Sequence, residues 1–178
     1  IKKYFNNINT SWNINMIDTG LDTPTGGRCK IISESIGDET SFLTYGDGLA
    51  DININQLLKF HKKNQKLITV SAVHPSARFG ELDLDGDRVL AFKEKPQLQR
   101  GWINGGFFVV EPGFFNYIDN PNVMLEREPI EKATLDSQLY AYKHEGFWQC
   151  MDTRRDHELL EKLWNDNKAP WKPSSIVK

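Results

Sequence analysis

The sequence has little cysteine, little net charge and no long apolar run. Its 178 residues include two cysteines, Cys29 and Cys150, without a CxxC spacing, so it offers neither a disulfide framework nor a zinc-ligand pattern. The formal net charge of -2 gives no reason to expect a nucleic-acid or anionic membrane partner. The apolar runs are too short to span a bilayer. We therefore expect a reduced, cytoplasmic protein with no nucleic-acid or membrane partner.

The remaining composition is that of an ordinary globular domain. Hydrophobic residues make up 39% and charged residues 26% of the chain, which is usual for a globular protein. No repeat, low-complexity block or Pro/Gly/Ser-rich linker divides the sequence. Because 178 residues suffice for one domain with a real core, we expect a single domain over residues 1–178.

Strand-like and helix-like segments alternate along the chain. Alternating or β-branched apolar residues predict strands at 13–20, 42–45, 67–74, 102–112 and 138–148. Helical spacing predicts helices at 1–10, 29–37, 53–64, 125–136 and 154–166. Asp51 is the expected N-cap of the helix at 53–64, and Asp85-Gly86-Asp87 predicts a hairpin turn within 80–96. This order indicates an α/β domain with a mixed, largely parallel sheet, flanking helices and an antiparallel hairpin.

Two aspartates follow strand-like segments. Asp47 lies between Gly46 and Gly48 at the end of one such segment, and Asp152 follows another. Ligands of α/β sheets bind beyond the carboxyl ends of the strands, and Mg²⁺ takes one or two carboxylates together with phosphate oxygens. The two aspartates therefore suggest a magnesium site. A simpler interpretation remains for each, because Asp47 can stabilise its own turn and Asp152 can cap the last helix in competition with Thr153.

Further polar residues and glycines fit a phosphorylated sugar and a nucleotide. Arg28 and Lys95 suit anionic oxygens, while Glu94 and Asn104 suit hydroxyl groups. Taken singly, the charged side chains are equally compatible with solvated loops. Glycine, which allows a ligand close to the backbone, occurs beside these clusters at positions 26, 27, 46, 105 and 106.

The ordered set of motifs resembles a known family. TGGR, TYGDG, FGELD, FKEKP, INGGFFV, FWQCMDT and KAPWK follow one another between about Tyr4 and Lys172, and this series resembles the sugar nucleotidyltransferases. INGGFFV, the last acidic motif and KAPWK are most similar to the cytidylyl branch, the glucose-1-phosphate cytidylyltransferases. The resemblance implies a Rossmann-like fold of the nucleotide-diphospho-sugar transferase type.

The resemblance also implies an activity. Such enzymes transfer a cytidylyl group from CTP to glucose 1-phosphate, forming CDP-glucose for surface polysaccharide synthesis and releasing pyrophosphate, with Mg²⁺ as cofactor and with homo-oligomeric assembly. It implies that Asp47 and Asp152 bind the metal and take part in catalysis, and that Lys95 takes part in catalysis and contacts the sugar phosphate. The implied nucleotide contacts are Thr23, Arg28, Gly46 and Asp47. The implied sugar contacts are Glu94, Asn104 and Gly105.

One family feature is missing from the sequence. The family begins with a strand and a GGxGTRL-type loop that wraps the triphosphate, and no G-x-G-T-R string occurs in the 178 residues. We therefore expect that the chain is a fragment lacking its first βα phosphate-loop unit, which amounts to roughly 80 residues by the usual domain length.

Three alternatives remain open from the sequence. The enzyme can be a relative that uses dTTP or UTP. The chain can be a non-catalytic binding subunit of the same fold that has lost the phosphate loop. It can also be a GT-A glycosyltransferase, whose Asp-x-Asp motif would have to be Asp83 and Asp85, although these lie in the hairpin turn.

The missing loop generates a prediction about the isolated chain. The 178-residue chain by itself should bind CTP poorly and release pyrophosphate from CTP and glucose 1-phosphate at a negligible rate, because the backbone N–H groups that hold the triphosphate are absent from it. A pyrophosphate-release assay checks this. Turnover of the isolated chain at the rate of a full-length relative would show that the loop is dispensable.

Overall fold

The computed structural model describes Phe5 and residues 12–75, 81–93 and 101–172. The expected helix at 1–10 therefore lies outside the described residues except for Phe5. Glu94 and Lys95 also lie outside them, so their expected contacts with the sugar phosphate stay predictions.

Helices and strands alternate over most of the described chain. Its α-helices are α1 (Thr25–Ile36), α2 (Ile54–Asn64), α3 (Glu128–Leu135) and α4 (Arg154–Asn165). Its strands are β1 (Ser41–Thr44), β2 (Gly48–Ala50), β3 (Ile68–Val73), β4 (Glu81–Asp85), β5 (Arg88–Lys93), β6 (Ile103–Val110), β7 (Leu139–His144) and β8 (Trp148–Cys150). A 3₁₀ helix at Pro112–Tyr117 begins with proline at its first position, as expected for a residue with a fixed φ and no N–H.

The central sheet has four strands in the order β1-β6-β3-β7. β6 pairs antiparallel with both β1 and β3, whereas β3 and β7 are parallel neighbours. β1, β3 and β7 therefore run in one direction, and β6 runs against them. This arrangement confirms the mixed α/β fold expected from the sequence.

Two short ladders extend the architecture. β2 pairs antiparallel with β8, with Gly48 opposite Cys150 and Ala50 opposite Trp148. β4 and β5 form the predicted hairpin, and Gly86 in its turn has a φ of 58°, a left-handed conformation that glycine adopts without steric cost. The predicted strand at 138–148 is divided into β7 and β8, and β8 belongs to the ladder with β2.

Apolar residues cover both faces of β6. Phe108 and Val109 are neighbours in sequence, so their side chains point to opposite faces of the sheet, yet they are only 1% and 0% exposed. Phe108 belongs to the larger apolar cluster, with Phe114 and Ile118 from the 3₁₀ helix and the residue after it. Val109 packs with Leu57 of α2 on the other face. The sheet is thus enclosed between two layers, as in other α/β domains.

The helix caps differ from one expectation. Asn53 caps α2, because its side chain accepts a hydrogen bond of 3.0 Å from the N–H of Gln56. The assignment of this cap to Asp51 was wrong, since Asp51 instead lies with its Oδ1 2.9 Å from Nε2 of His144. Local spacing allowed either residue as a cap, and only the position of β7 provided the histidine.

The first helix and the segment before it also differ from the prediction. α1 begins at Thr25, so the TGGR motif forms its first turn instead of a loop. Residues 13–20 form no strand in the described structure. Gly26 and Gly27 serve packing rather than ligand approach, because Cβ atoms there would collide with the carbonyl oxygens of Val123 and Pro121, respectively.

This packing predicts the effect of a single methyl group. Gly27→Ala should lower the free energy of unfolding of the full gene product by about 1–3 kcal/mol, the usual cost of overpacking, because the obstructing atoms are backbone and cannot rotate away. Gly46→Ala is the matched control for stability, since a Cβ at Gly46 would meet no atom within 4 Å. Urea unfolding followed by circular dichroism measures both. Equal stabilities of the two variants would show that α1 can move away from the 121–123 segment.

Candidate active site

The reversed direction of β6 brings three strand ends to one edge of the sheet. Val73, the last residue of β3, is paired with Ile103, the first residue of β6. Just beyond the end of β1, the N–H of Tyr45 donates to the carbonyl oxygen of Gly106 at 3.1 Å. Asn104 therefore lies at the same edge as the loop that follows β1. That loop contains Asp47.

The β2–β8 ladder brings the two predicted metal-binding aspartates together. The N–H of Met151 donates to the carbonyl oxygen of Asp47 at 2.8 Å, one residue beyond the pairing of Gly48 with Cys150. Asp152 directly follows Met151, so both aspartates lie at the same end of this ladder. Both are exposed to solvent.

Asp152 is not needed as a helix cap. The side chain of Thr153 accepts a hydrogen bond from the N–H of Asp156, and the side chain of Asp156 accepts one from the N–H of Thr153. This reciprocal arrangement is a capping box. Asp152 lies before it, and its Oδ2 accepts a hydrogen bond of 3.2 Å from the thiol of Cys150. The interpretation of Asp152 as a cap is therefore wrong.

The donor set fits a hard divalent cation that is shared with a phosphate. Asp47 and Asp152 offer carboxylate oxygens, the ligands that Mg²⁺ prefers, and Mg²⁺ commonly uses one or two protein carboxylates with phosphate oxygens and water. Within residues 12–75, 81–93 and 101–172, no group of three or more His, Cys, Asp and Glu side chains is placed to hold a metal. The described side chains therefore do not form a complete set of metal ligands by themselves.

Trp148 joins the ladder to the central sheet. Its indole Nε1–H donates to the carbonyl oxygen of Gly105 at 2.8 Å. A Cβ at Gly105 would lie 2.7 Å from Cγ1 of Val73 and 2.9 Å from the carbonyl oxygen of Ser71. Gly105 is therefore required by the packing of β6 on β3, a role that the sequence did not indicate.

Gly106 is closely packed, whereas Gly46 is not. Gly106 has a φ of 77°, and a Cβ there would lie 2.7 Å from the ring of Tyr45. Gly46 has open space at its Cβ position. Of the five glycines expected to admit a ligand, Gly46 is the one whose surroundings match that role.

Thr23 and Arg28 meet at a third residue, Thr19. The hydroxyl of Thr23 donates to the carbonyl oxygen of Thr19. Arg28 donates from Nη1 to the hydroxyl of Thr19 at 2.6 Å and from Nη2 to the carbonyl oxygen of Leu21 at 2.8 Å. The two residues thus order one loop at the start of α1. A guanidinium has five N–H donors, so these bonds do not use up its capacity.

A carboxylate that the sequence did not indicate connects this loop to the sheet edge. Glu126 accepts a hydrogen bond from the hydroxyl of Tyr45 at Oε1 and one of 2.7 Å from the hydroxyl of Thr25 at Oε2. Tyr45 in turn accepts a hydrogen bond of 3.2 Å from Nδ2 of Asn104. Sequence pattern gives no signal for Glu126, because its partners lie 81 and 101 residues away along the chain.

Burial raises the pKa values of two side chains near Glu126, those of Tyr45 and Cys29. Burial raises the pKa of the Tyr45 hydroxyl, and the hydrogen bond to Glu126 raises it further. Burial, with a smaller effect of the negative charge of Glu126, raises the pKa of the Cys29 thiol to about 11. Tyr45 is thus a neutral hydrogen-bond donor at physiological pH, and Cys29 is an unreactive thiol.

The alternative Asp-x-Asp pair lies elsewhere. Asp83 and Asp85 are in β4, opposite Ala91 and Arg88 of the hairpin ladder. This ladder is separate from the four-stranded sheet. The pair therefore belongs to a hairpin strand outside the central sheet, so the sheet topology gives a glycosyltransferase no support.

Comparison with known proteins identifies clear relatives. A family model described as nucleotidyl transferase matches residues 4–166. The glucose-1-phosphate cytidylyltransferase of Salmonella typhi is 46% identical over 162 residues, which cover 90% of this chain and 63% of that protein. The probable glucose-1-phosphate cytidylyltransferase of Bacillus subtilis is 39% identical over 163 residues, with 91% and 64% covered. The chain thus spans slightly less than two thirds of the length of these relatives.

Solved structures share the fold at low sequence identity. HddC from Yersinia pseudotuberculosis superposes with a TM-score of 0.67 at 16% identity, covering 92% of this chain and 72% of that one. A putative glucose-1-phosphate thymidylyltransferase from Bacillus anthracis gives a TM-score of 0.58 at 14% identity, with 88% and 65% covered. At these identities the likeness concerns the fold alone.

Among the described residues, no helix combines the length and the apolar character that a membrane-crossing helix needs.

The link between Trp148 and Gly105 generates a prediction. Trp148→Phe should lower the free energy of unfolding by about 1–2 kcal/mol, because it removes the donor to the Gly105 carbonyl while keeping an aromatic ring. Trp164→Phe is the control, since Trp164 on α4 is 49% exposed and its change should cost less than about 0.5 kcal/mol. Urea denaturation of the full gene product measures both. If Trp148→Phe behaves like the control, the indole bond does not hold the ladder to the sheet.

Proposed function

The chain belongs to the nucleotidyl transferase family, and we propose that it serves in a glucose-1-phosphate cytidylyltransferase that makes CDP-glucose and pyrophosphate from CTP and glucose 1-phosphate. The observation that carries the proposal is the backbone bond between Met151 and Asp47, which joins the two acidic motifs at one end of a ladder. The 46% identity to a cytidylyltransferase supports the choice of substrates.

The proposed reaction is a displacement at phosphorus. A phosphate oxygen of glucose 1-phosphate forms a bond to the α-phosphorus of CTP, while the bond from that phosphorus to the bridging oxygen of the β-phosphate breaks and pyrophosphate leaves. The part of the protein is mainly to position the two anions and to balance their charge. Asp47 and Asp152 are the proposed holders of Mg²⁺. Bound Mg²⁺ supplies positive charge next to the phosphate oxygens.

The sugar end of the proposed site lies at the start of β6. Asn104 is exposed and has a side-chain amide that can both donate to and accept from a sugar hydroxyl. The carbonyl oxygen of Gly105 has a second lone pair beyond the one used by Trp148. We assign both residues to the sugar. Glu94 and Lys95 keep their proposed roles at the sugar and its phosphate, and Lys95 its catalytic role, on the resemblance of FKEKP alone.

The nucleotide end of the proposed site comprises Thr23, Arg28 and Gly46. Thr23 and Arg28 order the loop before α1 through Thr19, and Gly46 has open space beside Asp47. We assign these three residues to the nucleotide. We also propose that the 178 residues form one nucleotidyltransferase-like domain. The GGxGTRL-type motif of the triphosphate loop does not occur among them.

The compartment and the assembly are further proposals. Cys29 and Cys150 are both free thiols, which supports a reducing, cytoplasmic environment. We propose a homo-oligomer on the basis of the family resemblance.

The metal assignment generates a prediction for the full gene product. Asp47→Ala and Asp152→Ala should each reduce Mg²⁺-dependent release of pyrophosphate from CTP and glucose 1-phosphate by about 10²–10³-fold, since each removes a charge needed in the transition state. Asp38→Ala, an exposed aspartate between α1 and β1, is the matched control and should leave turnover unchanged. Pyrophosphate release is measured over a range of Mg²⁺ concentrations.

Three outcomes would contradict parts of the proposal. Near-normal turnover of either variant removes that aspartate from the metal site. Equal rates with UTP or dTTP in a nucleotide panel contradict the cytidylyl assignment. Absence of nucleotidyl transfer by the unaltered gene product with every nucleotide tested favours a non-catalytic subunit.

A further inference from the structure

Glu126 is a half-buried carboxylate with both oxygens engaged by side chains from other parts of the chain. Tyr45, which leads into the Asp47 loop, donates to Oε1, and Thr25, the first residue of α1, donates to Oε2. The hydroxyl of Thr25 also accepts a hydrogen bond of 2.9 Å from the N–H of Leu125. Glu126 therefore joins the nucleotide side of the proposed site to its sugar side.

The bond to Glu126 determines what the Tyr45 hydroxyl can do elsewhere. A phenol has one proton, and in this structure that proton is given to Glu126. The oxygen of Tyr45 can then act only as an acceptor toward other groups. It accepts from Nδ2 of Asn104 at 3.2 Å.

The orientation of the Asn104 amide follows from this. Its Nδ2 points to Tyr45, and its Oδ1 accepts a hydrogen bond of 2.8 Å from the N–H of Gly106. Both ends of the amide are thus held. If the Tyr45 proton pointed toward Asn104 instead, the amide would have to present its oxygen there and would lose the bond from Gly106.

We propose that Glu126 is a positioning residue that acts through Tyr45 to hold the Asn104 amide in the orientation that receives the sugar phosphate. The inference rests on the proposed function of Asn104 in sugar binding. Glu126 does not itself contact the substrate. Its ionised form has no proton to donate, so it accepts from Tyr45 and Thr25 together, which an amide at the same position cannot do because one of its two ends is a donor.

Kinetics of Glu126→Ala and Tyr45→Phe in the full gene product test the proposal. Each variant removes the constraint on Asn104, so the KM for glucose 1-phosphate should rise about five- to tenfold, the effect of one hydrogen bond. The KM for CTP and kcat should stay within about twofold. Glu128→Ala is the matched control, because Glu128 makes an exposed ion pair with Lys132 at 3.0 Å, and it should change none of the three constants.

A double-mutant cycle separates positioning from a structural role. In an Asn104→Ala background, Glu126→Ala should no longer change the KM for glucose 1-phosphate, because the group that Glu126 orients is gone. A general structural role of Glu126 would leave its effect unchanged in that background. Thermal melts of all variants accompany the kinetics, and Tyr45→Phe provides the test if Glu126→Ala does not fold.

The outcomes distinguish a failure of the positioning role from a failure of the proposed function. If the unaltered protein transfers nucleotide to glucose 1-phosphate but both variants keep its KM, the positioning role is refuted and the proposed function stands. An equal rise of both KM values, or an effect that persists without Asn104, also refutes it. If the unaltered protein transfers no nucleotide, the proposed function fails and this inference with it.

Discussion

The direction of β6 is the constraint on which the candidate site depends. β6 lies between β1 and β3 and runs against both, so its beginning meets the edge at which they end. If β6 ran in the common direction, Asn104 and Gly105 would lie at the opposite edge from Asp47. Because both faces of β6 are buried, with Phe108 on one side and Val109 on the other, a reversal or a one-residue slip would misplace its side chains relative to both layers.

The second requirement is that the β2–β8 ladder be fixed to this sheet. A ladder of three residues per strand is too short to be stable alone. The indole of Trp148 donates to the carbonyl of Gly105 in β6, and Oδ1 of Asp51 lies 2.9 Å from Nε2 of His144 at the end of β7. Through these contacts the ladder that carries Asp47 and Asp152 takes its position from the central sheet.

Local side chains take the capping positions at the starts of α2 and α4. Thr153 and Asp156 satisfy the first N–H groups of α4, and Asn53 does so for α2. Asp152 and Asp51 are therefore released from capping, the former beside Asp47 and the latter against His144. Close-packed glycines at 26, 27 and 105 have the converse role, because they let helix and strands approach at distances that a Cβ would prevent. The glycines of the motifs are thus explained mainly by packing.

The sequence by itself determined the features that depend on neighbouring residues. The hairpin at Gly86, the periodicity of α2 and α4, the proline that opens the 3₁₀ helix and the position of Asp47 after a strand all follow from local propensity, and the motif series indicated the family. The tertiary structure alone decided the backbone pairing of Asp47 with Met151, the reversal of β6 and the contacts of Glu126. These depend on strands and side chains from distant parts of the chain, with partners 81 and 101 residues away in the case of Glu126. Local propensity contains no information about such pairings, because they are selected by burial and by hydrogen-bond satisfaction in the assembled core.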